Sequence, residues 1–209
     1  ATVPQTVWLN FGGGGNVSVH GRAAISFGAF DAAGLGSAYA VQTAAIKAAI
    51  VETMREDYAD FNVAITTSDE GSAPDGPHAT IQFGGRDDRL LGLADNVDQY
   101  NEDPWQTAVI YVDGFADFAV MDLSAEEMGQ MIGNVASHER GHLLGLFHTQ
   151  VPTDLMDTTG TAWDLAGAQA FSRATLEASV FPFGYENGPQ RLAETVGLQQ
   201  AEENPLAKP

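Results

Sequence analysis

Residues 138–148 read HERGHLLGLFH, and this stretch decides both the fold and the site. On a helix His138 and His142 lie one turn apart, so their imidazoles project from the same face. Two such rings can share one cation at about 2.0–2.1 Å from each nitrogen. Gly145 can adopt the positive φ that ends a helix, which lets the chain turn and return His148 as a third ligand. The spacing therefore predicts a helix, a sharp turn and a three-histidine metal centre.

The chemistry of such a centre depends on the charge of its ligands. Three neutral imidazoles leave a zinc ion its full positive charge, which lowers the pKa of a bound water and polarises a carbonyl group. Glu139 follows His138 directly and would accept the proton of the attacking water, then pass it to the leaving amine. The pattern therefore indicates hydrolysis by a zinc-activated water with Glu139 as the general base.

The pattern H-E-x-x-H-x-x-G-x-x-H, followed by a methionine turn, resembles the metzincin metallopeptidases. Residues 154–157 read DLMD and look like that turn, with Met156 as its methionine. The resemblance implies an α/β (α+β) fold: a mixed twisted sheet, a backing helix, an active-site helix and a smaller, mostly irregular or helical C-terminal subdomain. It also implies the site roles: zinc ligands His138, His142 and His148, base Glu139, and Met156 as an apolar floor beneath the zinc.

The subfamily stays open, between the matrixins and secreted bacterial members of the clan. Thr149 follows the third histidine, where matrixins typically have serine and adamalysins aspartate. Thr158 stands where astacins and serralysins place a tyrosine ligand. Arg140, inside the motif, is expected to be a solvated arginine on the outer face of the helix.

Length and composition favour one catalytic domain with few classes of partner. The chain has 209 residues and a formal net charge of −19, so nucleic acid and anionic membrane surfaces are not expected as partners. Protein or peptide substrates are expected, with a monomeric enzyme by analogy of fold. The family division would place the N-terminal subdomain at residues 1–147 and the C-terminal subdomain at 148–209.

The sequence contains no cysteine, so it has no disulfide framework and no cysteine switch. No apolar stretch approaches the length of a membrane span, and the chain opens without a basic and apolar leader. The resemblance favours a secreted protein whose signal peptide has been removed, with the periplasm as the other compartment.

Hydrophobic patterning predicts the main elements. Apolar-rich or alternating runs predict strands at residues 6–11, 61–67, 79–83 and 108–115. Residues 37–57 are alanine-rich, with Ile46, Ile50 and Met54 at fourfold spacing, which is typical of a helix that packs on a sheet. Ser124 and Glu127 form a capping box for the catalytic helix, which should run to about residue 145. Residues 173–180 and 190–200 have helical composition, and 205–209 look like a frayed tail.

Two segments are candidate substrate contacts. By resemblance, residues 90–98 correspond by position to the family's antiparallel edge strand above the cleft, where an extended peptide could add a strand; an ordinary covered loop is the alternative. The residues concerned are Leu91, Gly92, Leu93 and Ala94. By resemblance, Thr158, Thr159 and Gly160 should line the pocket after the scissile bond. Trp163 is expected to close the side of that pocket or to be a core anchor.

Other metal sites are weaker candidates. Calcium is a candidate second cation, because two sets of acidic residues near turns could supply oxygen ligands. The first set is Asp69, Glu70 and Asp75, and the second is Asp87, Asp88 and Asp95. A second zinc site could involve His78 with Asp75, although His20 and His78 read as ordinary loop residues.

These features together predict a zinc-dependent endopeptidase. Two alternatives remain: a zinc-bearing binding or adhesion module without hydrolysis, and a zinc-dependent amide hydrolase such as a deacetylase, which would need a deep, narrow pocket.

Overall fold

The computed structural model describes residues 4–199. Its strands, in chain order, are β1 (Gln5–Asn10), β2 (Gly14–Val17), β3 (Ile25–Phe27), β4 (Val63–Thr67), β5 (His78–Phe83), β6 (Gly92–Ala94), β7 (Thr107–Ile110), β8 (Arg173–Thr175) and β9 (Tyr185–Asn187). Its α-helices are α1 (Thr43–Asp57), α2 (Ala125–His142), α3 (Ala162–Ala166) and α4 (Gly188–Val196), and 3₁₀ segments cover Ala32–Leu35, Ser37–Tyr39 and Val112–Met121.

The centre of the fold is a five-stranded sheet in the order β4-β1-β5-β7-β6. The pairs from β4 to β7 are parallel, and β6 runs antiparallel to β7 at one edge. In β1 the fully buried Val7 and Leu9 alternate with Thr6 and Trp8, which is the two-residue period of a strand. The predicted α/β fold with a mixed twisted sheet is confirmed.

The edge strand is the element that matters most for the site. Residues 92–94 form β6, with Leu93 opposite Val109 of β7. The expectation of a strand in this segment is confirmed, and the alternative of a covered loop is wrong.

The backing helix and the catalytic helix pack closely on each other. Ile46, Ile50 and Met54 are each 0% exposed, so the fourfold apolar face predicted for α1 is confirmed. On α2, a Cβ atom at Gly133 would lie 2.7 Å from the Thr53 Cβ, and one at Gly129 would overlap Ala49. Glycine at both positions therefore lets the two helices approach at backbone distance.

Several predicted elements differ from the structure. The helix expected over 37–57 begins at Thr43, the strand expected over 61–67 begins at Val63, and the helix expected to run to about residue 145 ends at His142. The strand expected over residues 108–115 ends at Ile110, and the chain continues as a 3₁₀ segment. The helix expected over 173–180 does not form: residues 173–175 are strand β8, which pairs antiparallel with β9 after a turn that contains Gly184 at φ +123°. The helix expected over 190–200 is α4, which ends at Val196 because Gly197 follows at φ +83°. The predicted tail at 205–209 lies outside the described residues.

Within residues 4–199, no helix is both long enough and apolar enough to cross a bilayer.

Candidate metal centre

The catalytic helix begins where the sequence predicts. Ser124 Oγ accepts a hydrogen bond from the Glu127 N–H (3.1 Å), and the Glu127 carboxylate accepts one from the Ser124 N–H (2.8 Å). From Met128 onward, almost every residue of α2 is buried. The helix is therefore held on all sides by packing, which gives its ligands a rigid base.

The turn after α2 returns the chain to the site. Gly145 has φ +88°, and a Cβ atom there would lie 2.8 Å from the Gln99 Cα. A residue with a side chain would be strained and would also clash with the 98–99 segment. This turn brings His148 back beside the two histidines of α2, as the spacing predicts.

The three histidines converge on one point. The Nε2 atom of His142 lies 3.1 Å from the Nε2 of His138 and 3.0 Å from the Nε2 of His148. Among the residues that the structure describes, these three form the one group of at least three His, Cys, Asp or Glu side chains with metal-binding spacing.

Hydrogen bonds to the other ring nitrogens determine the tautomers. His138 Nδ1 lies 2.7 Å from the Leu155 carbonyl oxygen, and His142 Nδ1 lies 2.8 Å from that of Leu146. A carbonyl oxygen only accepts, so each Nδ1 carries the proton and each Nε2 presents a lone pair. Facing lone pairs repel each other, and a cation between them removes the repulsion. Three neutral imidazole nitrogens also suit zinc chemically, so the residues present fit the ion and could bind it.

The electrostatics agree with neutral ligands. Burial, followed by the charges of the neighbouring histidines, holds the pKa of His138 well below 6.5. Burial and His148 lower the pKa of His142 to about 4. Burial also lowers the pKa of His148, although Glu177 nearby opposes the change. The three rings are therefore ready to bind a metal ion at neutral pH without first losing protons.

Glu139 lies beside this triad in a dry environment. It is 7% exposed, and burial raises its pKa to about 8, against the opposing effect of the Ala94 N–H. A cation held by the histidines would lower this pKa again and keep the carboxylate charged.

The loop that follows His148 closes the site from the other side. Met156 is 1% exposed, and a Cβ atom at Gly141 of α2 would lie 2.5 Å from its sulfur. The thioether therefore packs directly on the catalytic helix between the two helical ligands. The adjacent Leu155 carbonyl orients His138, so this turn also takes part in fixing a ligand.

Asp154 is a structural residue of the site whose role the sequence did not reveal. Its buried carboxylate accepts hydrogen bonds from the Thr149 hydroxyl (2.9 Å), the Met156 N–H (2.9 Å), and the Ser172 N–H and hydroxyl (2.8 and 2.6 Å). One side chain thus ties the residue after His148 to the methionine turn and to the C-terminal segment. The motif spacing gave no signal for it, because Ser172 is distant in sequence.

A cleft of about 670 Å³ opens above the histidines, between β6 and the segment after Met156. Of the predicted substrate residues, six line it: Leu91, Gly92, Leu93, Ala94, Thr158 and Gly160. Thr159 is not among the lining residues that the structure describes; its N–H and hydroxyl bind Asp157 instead.

Sequence reasoning missed other residues of the cleft wall. His20, read as an ordinary loop residue, lines the cleft because its N–H binds the Asp95 carboxylate at 3.0 Å. Asn134 and Val180 also line it. These residues come from distant segments and have no local pattern that could have marked them.

Two predictions about single side chains are wrong. Trp163 is 64% exposed and is neither a core anchor nor a lining residue of the cleft among those described. Arg140 is 0% exposed rather than solvated. Arg140 lies one turn after Ser137 on α2. The Ser137 carbonyl accepts a hydrogen bond from the hydroxyl of Tyr58, which follows the last residue of α1. Burial lowers the pKa of Arg140 to about 10, while Tyr58 and Asp98 act in the opposite direction.

The structure gives no support to calcium or to a second zinc ion. Asp69, Glu70 and Asp87 pair with Lys47 (3.0 Å), Arg55 (2.9 Å) and Arg22 (2.7 Å), respectively. Within residues 4–199, neither acidic group nor the pair of His78 and Asp75 belongs to a cluster with metal-binding spacing. His78 instead contacts the Gly76 carbonyl at 2.8 Å.

Comparisons with known proteins add little to this geometry. No protein-family model matches the sequence, and no curated protein matches it. Among solved structures, the crystal structure of archaemetzincin from Methanopyrus kandleri is similar to this chain, with a TM-score of 0.43 and 13% identity over 79% of this chain and 87% of that one. At this level of similarity the neighbour assigns no function, so the interpretation of the site rests on its own residues.

Proposed function

We propose that the protein is a zinc-dependent endopeptidase of the metzincin type. The observation that supports the proposal best is the convergence of three neutral imidazoles at 3.0–3.1 Å beside a buried carboxylate. A purely structural zinc site is normally closed by four protein ligands, whereas this site has three and opens into a cleft.

The residues of the chain divide the chemistry between them. His138, His142 and His148 would hold the zinc ion. When bound, zinc lowers the pKa of a water molecule and polarises the substrate carbonyl. Glu139 accepts the proton of the attacking water and returns it to the leaving amine, because it is the carboxylate next to the ligands.

The shape of the cleft favours a peptide over a small amide. β6 leaves a free sheet edge along the cleft, where an extended peptide can bind by adding a strand. We propose that residues 158–160 border the pocket for the side chain after the scissile bond. A deacetylase would instead need a narrow closed pocket, and the edge strand would have no role in it.

The remaining expectations belong to the same proposal. We propose a secreted monomer that acts on protein or peptide substrates, with the cleft between an N-terminal subdomain (1–147) and a C-terminal subdomain (148–209). The charge of −19 favours substrates with basic residues near the cleaved bond.

Cleavage of casein and of a quenched fluorescent peptide library tests this proposal. The zinc-loaded protein should cleave both, a chelator should abolish cleavage, and added zinc should restore it. Glu139→Gln should keep its zinc and lose about 10² to 10⁴-fold in rate, since that is the contribution of a positioned general base. Glu126→Gln, on the exposed first turn of the same helix, is the matched control and should keep the wild-type rate. Absence of cleavage by the zinc-loaded wild type would support the binding-module alternative instead.

A further inference from the structure

Among the described residues, the backbone of β6 pairs with β7 on one side and with no strand on the other. The Leu91 carbonyl accepts from the Tyr111 N–H (2.8 Å), and the Asp95 N–H donates to the Thr107 carbonyl (3.0 Å). In an antiparallel pair these groups alternate along the strand. The N–H and C=O groups of Gly92 and Ala94 therefore point away from β7, toward the free edge.

The side-chain directions of β6 alternate as well. Leu93 packs with Val109 and Tyr111 on the outer face of the sheet, whereas Ala94 belongs to the main core on the α2 side. Gly92 has the same parity as Ala94, so it also faces α2. The two smallest residues of the strand thus lie over the catalytic helix.

The space above Gly92 is filled by Glu139. A Cβ atom at position 92 would lie 2.6 Å from Glu139 Oε1, 2.7 Å from its Cγ and 3.0 Å from its Cδ. Gly92 does not have a positive φ, so the backbone conformation does not require glycine there. Glycine is required at position 92 because the Glu139 side chain approaches so closely.

Ala94, at the same edge of the sheet, also contacts the Glu139 side chain. Its backbone N–H donates a hydrogen bond to the Glu139 carboxylate. Glu139 thus rests on the Cα of Gly92 and faces the N–H of Ala94, both at the free edge of the sheet.

We propose that Gly92 is a positioning residue for the general base: the missing side chain lets Glu139 lie against β6 in the orientation that the reaction needs. This proposal rests on the proposed function, because it concerns the same site. One strand then orients both the base and the bound peptide, so that their relative placement is set by a single rigid element.

Gly92→Ala tests the proposal. The new methyl group would meet Oε1, Cγ and Cδ of one flexible side chain, so the whole Glu139 side chain should rotate away from β6 while the fold persists. We expect kcat to fall by about 10 to 10²-fold, the range that follows a misplacement of about 1 Å, with KM within about twofold and zinc content unchanged. Gly76→Ala is the matched control, because a Cβ atom there meets nothing within 4 Å; it should behave as wild type.

A double-mutant cycle separates positioning from a general structural effect. In the Glu139→Ala background the three side-chain atoms nearest the new methyl group are gone, so Gly92→Ala should change the residual rate by less than about twofold. An additive loss in that background would overturn the proposal.

A crystal structure of zinc-loaded Gly92→Ala gives a readout that needs no activity. The Glu139 carboxylate should move away from β6 while the three Nε2 atoms stay in place. A β6 that lifts off α2 with the carboxylate unmoved would contradict the proposal, even if the wild type proved to have no peptidase activity.

Discussion

The two halves of the metal centre are held in different ways. His138, Glu139 and His142 lie on α2, which is buried by α1, the sheet and the C-terminal segment. His148 and Met156 lie on irregular backbone, and polar contacts to the Asp154 carboxylate tie that backbone together. Packing therefore fixes the helical half, whereas the loop half combines the packing of Met156 with hydrogen bonds to the Asp154 carboxylate and between backbone groups.

Removing one ligand from each half gives the largest effect and tests whether both halves bind the ion. His142→Ala and His148→Ala should each lower zinc affinity by more than about 10²-fold, since changes to the partners of ligands alone cost 10 to 100-fold. Zinc content after dialysis against a competing chelator measures this, with His78→Ala as the control outside the site. Full occupancy in His148→Ala would mean that the loop half does not bind the metal.

The metal-free forms of the same two variants sharpen the comparison. His142 is 8% exposed inside packed structure, so its truncation leaves a cavity and should lower the free energy of unfolding by about 1–3 kcal/mol. His148 is only partly buried, so its truncation should change the free energy of unfolding by less than about 1 kcal/mol. Equal losses in denaturant titrations would remove the distinction between the two halves.

Asp154→Asn tests the loop half directly. The amide replaces one acceptor oxygen by a donor, which leaves buried N–H or O–H groups of Thr149, Met156 or Ser172 without a partner. We expect a loss of about 1–3 kcal/mol in the free energy of unfolding and a 10 to 100-fold loss in zinc affinity. Asp88→Asn, at an exposed position, is the control and should change stability by less than about 0.5 kcal/mol. A wild-type zinc affinity in Asp154→Asn would show that this network does not support the ligand.

The same contrast explains how much the sequence could predict. The helical half follows from local spacing: the capping box at Ser124, the histidines one turn apart and the apolar face of α1 all depend on residues close in sequence. The turn at Gly145 could also be predicted from the sequence, because few residues other than glycine tolerate a positive φ.

The errors concern residues whose environment is made by distant segments. Arg140 looked like a surface charge because its own helix gives no sign that α1 ends against it. Asp154 acts in part through Ser172, and this contact leaves no periodic pattern in the sequence. The C-terminal strand β8 is short and depends on its pairing with β9, so composition alone indicated a helix for its residues instead.

One further effect is expected away from the site, at the end of α1. Asp57 has a buried carboxylate oxygen without a hydrogen-bond partner among the described residues, and burial raises its pKa from 3.8 to about 7. The folded protein therefore keeps this proton to higher pH than the unfolded chain does, so the free energy of unfolding falls as the pH rises from about 4 to about 7. Asp57→Asn should remove this fall and stabilise the protein at pH 8 by about 1–2 kcal/mol, or a few degrees in Tm. An unchanged pH profile of Tm would contradict the burial of this charge.

Anomalous diffraction at the zinc edge, from crystals of the zinc-loaded protein, tests the central claim most directly. We predict one strong peak about 2.0–2.1 Å from the Nε2 atoms of His138, His142 and His148, with the Glu139 carboxylate beside it and no fourth protein ligand. A peak elsewhere, or His148 turned away from the other two rings, would contradict a hydrolytic zinc centre in this protein.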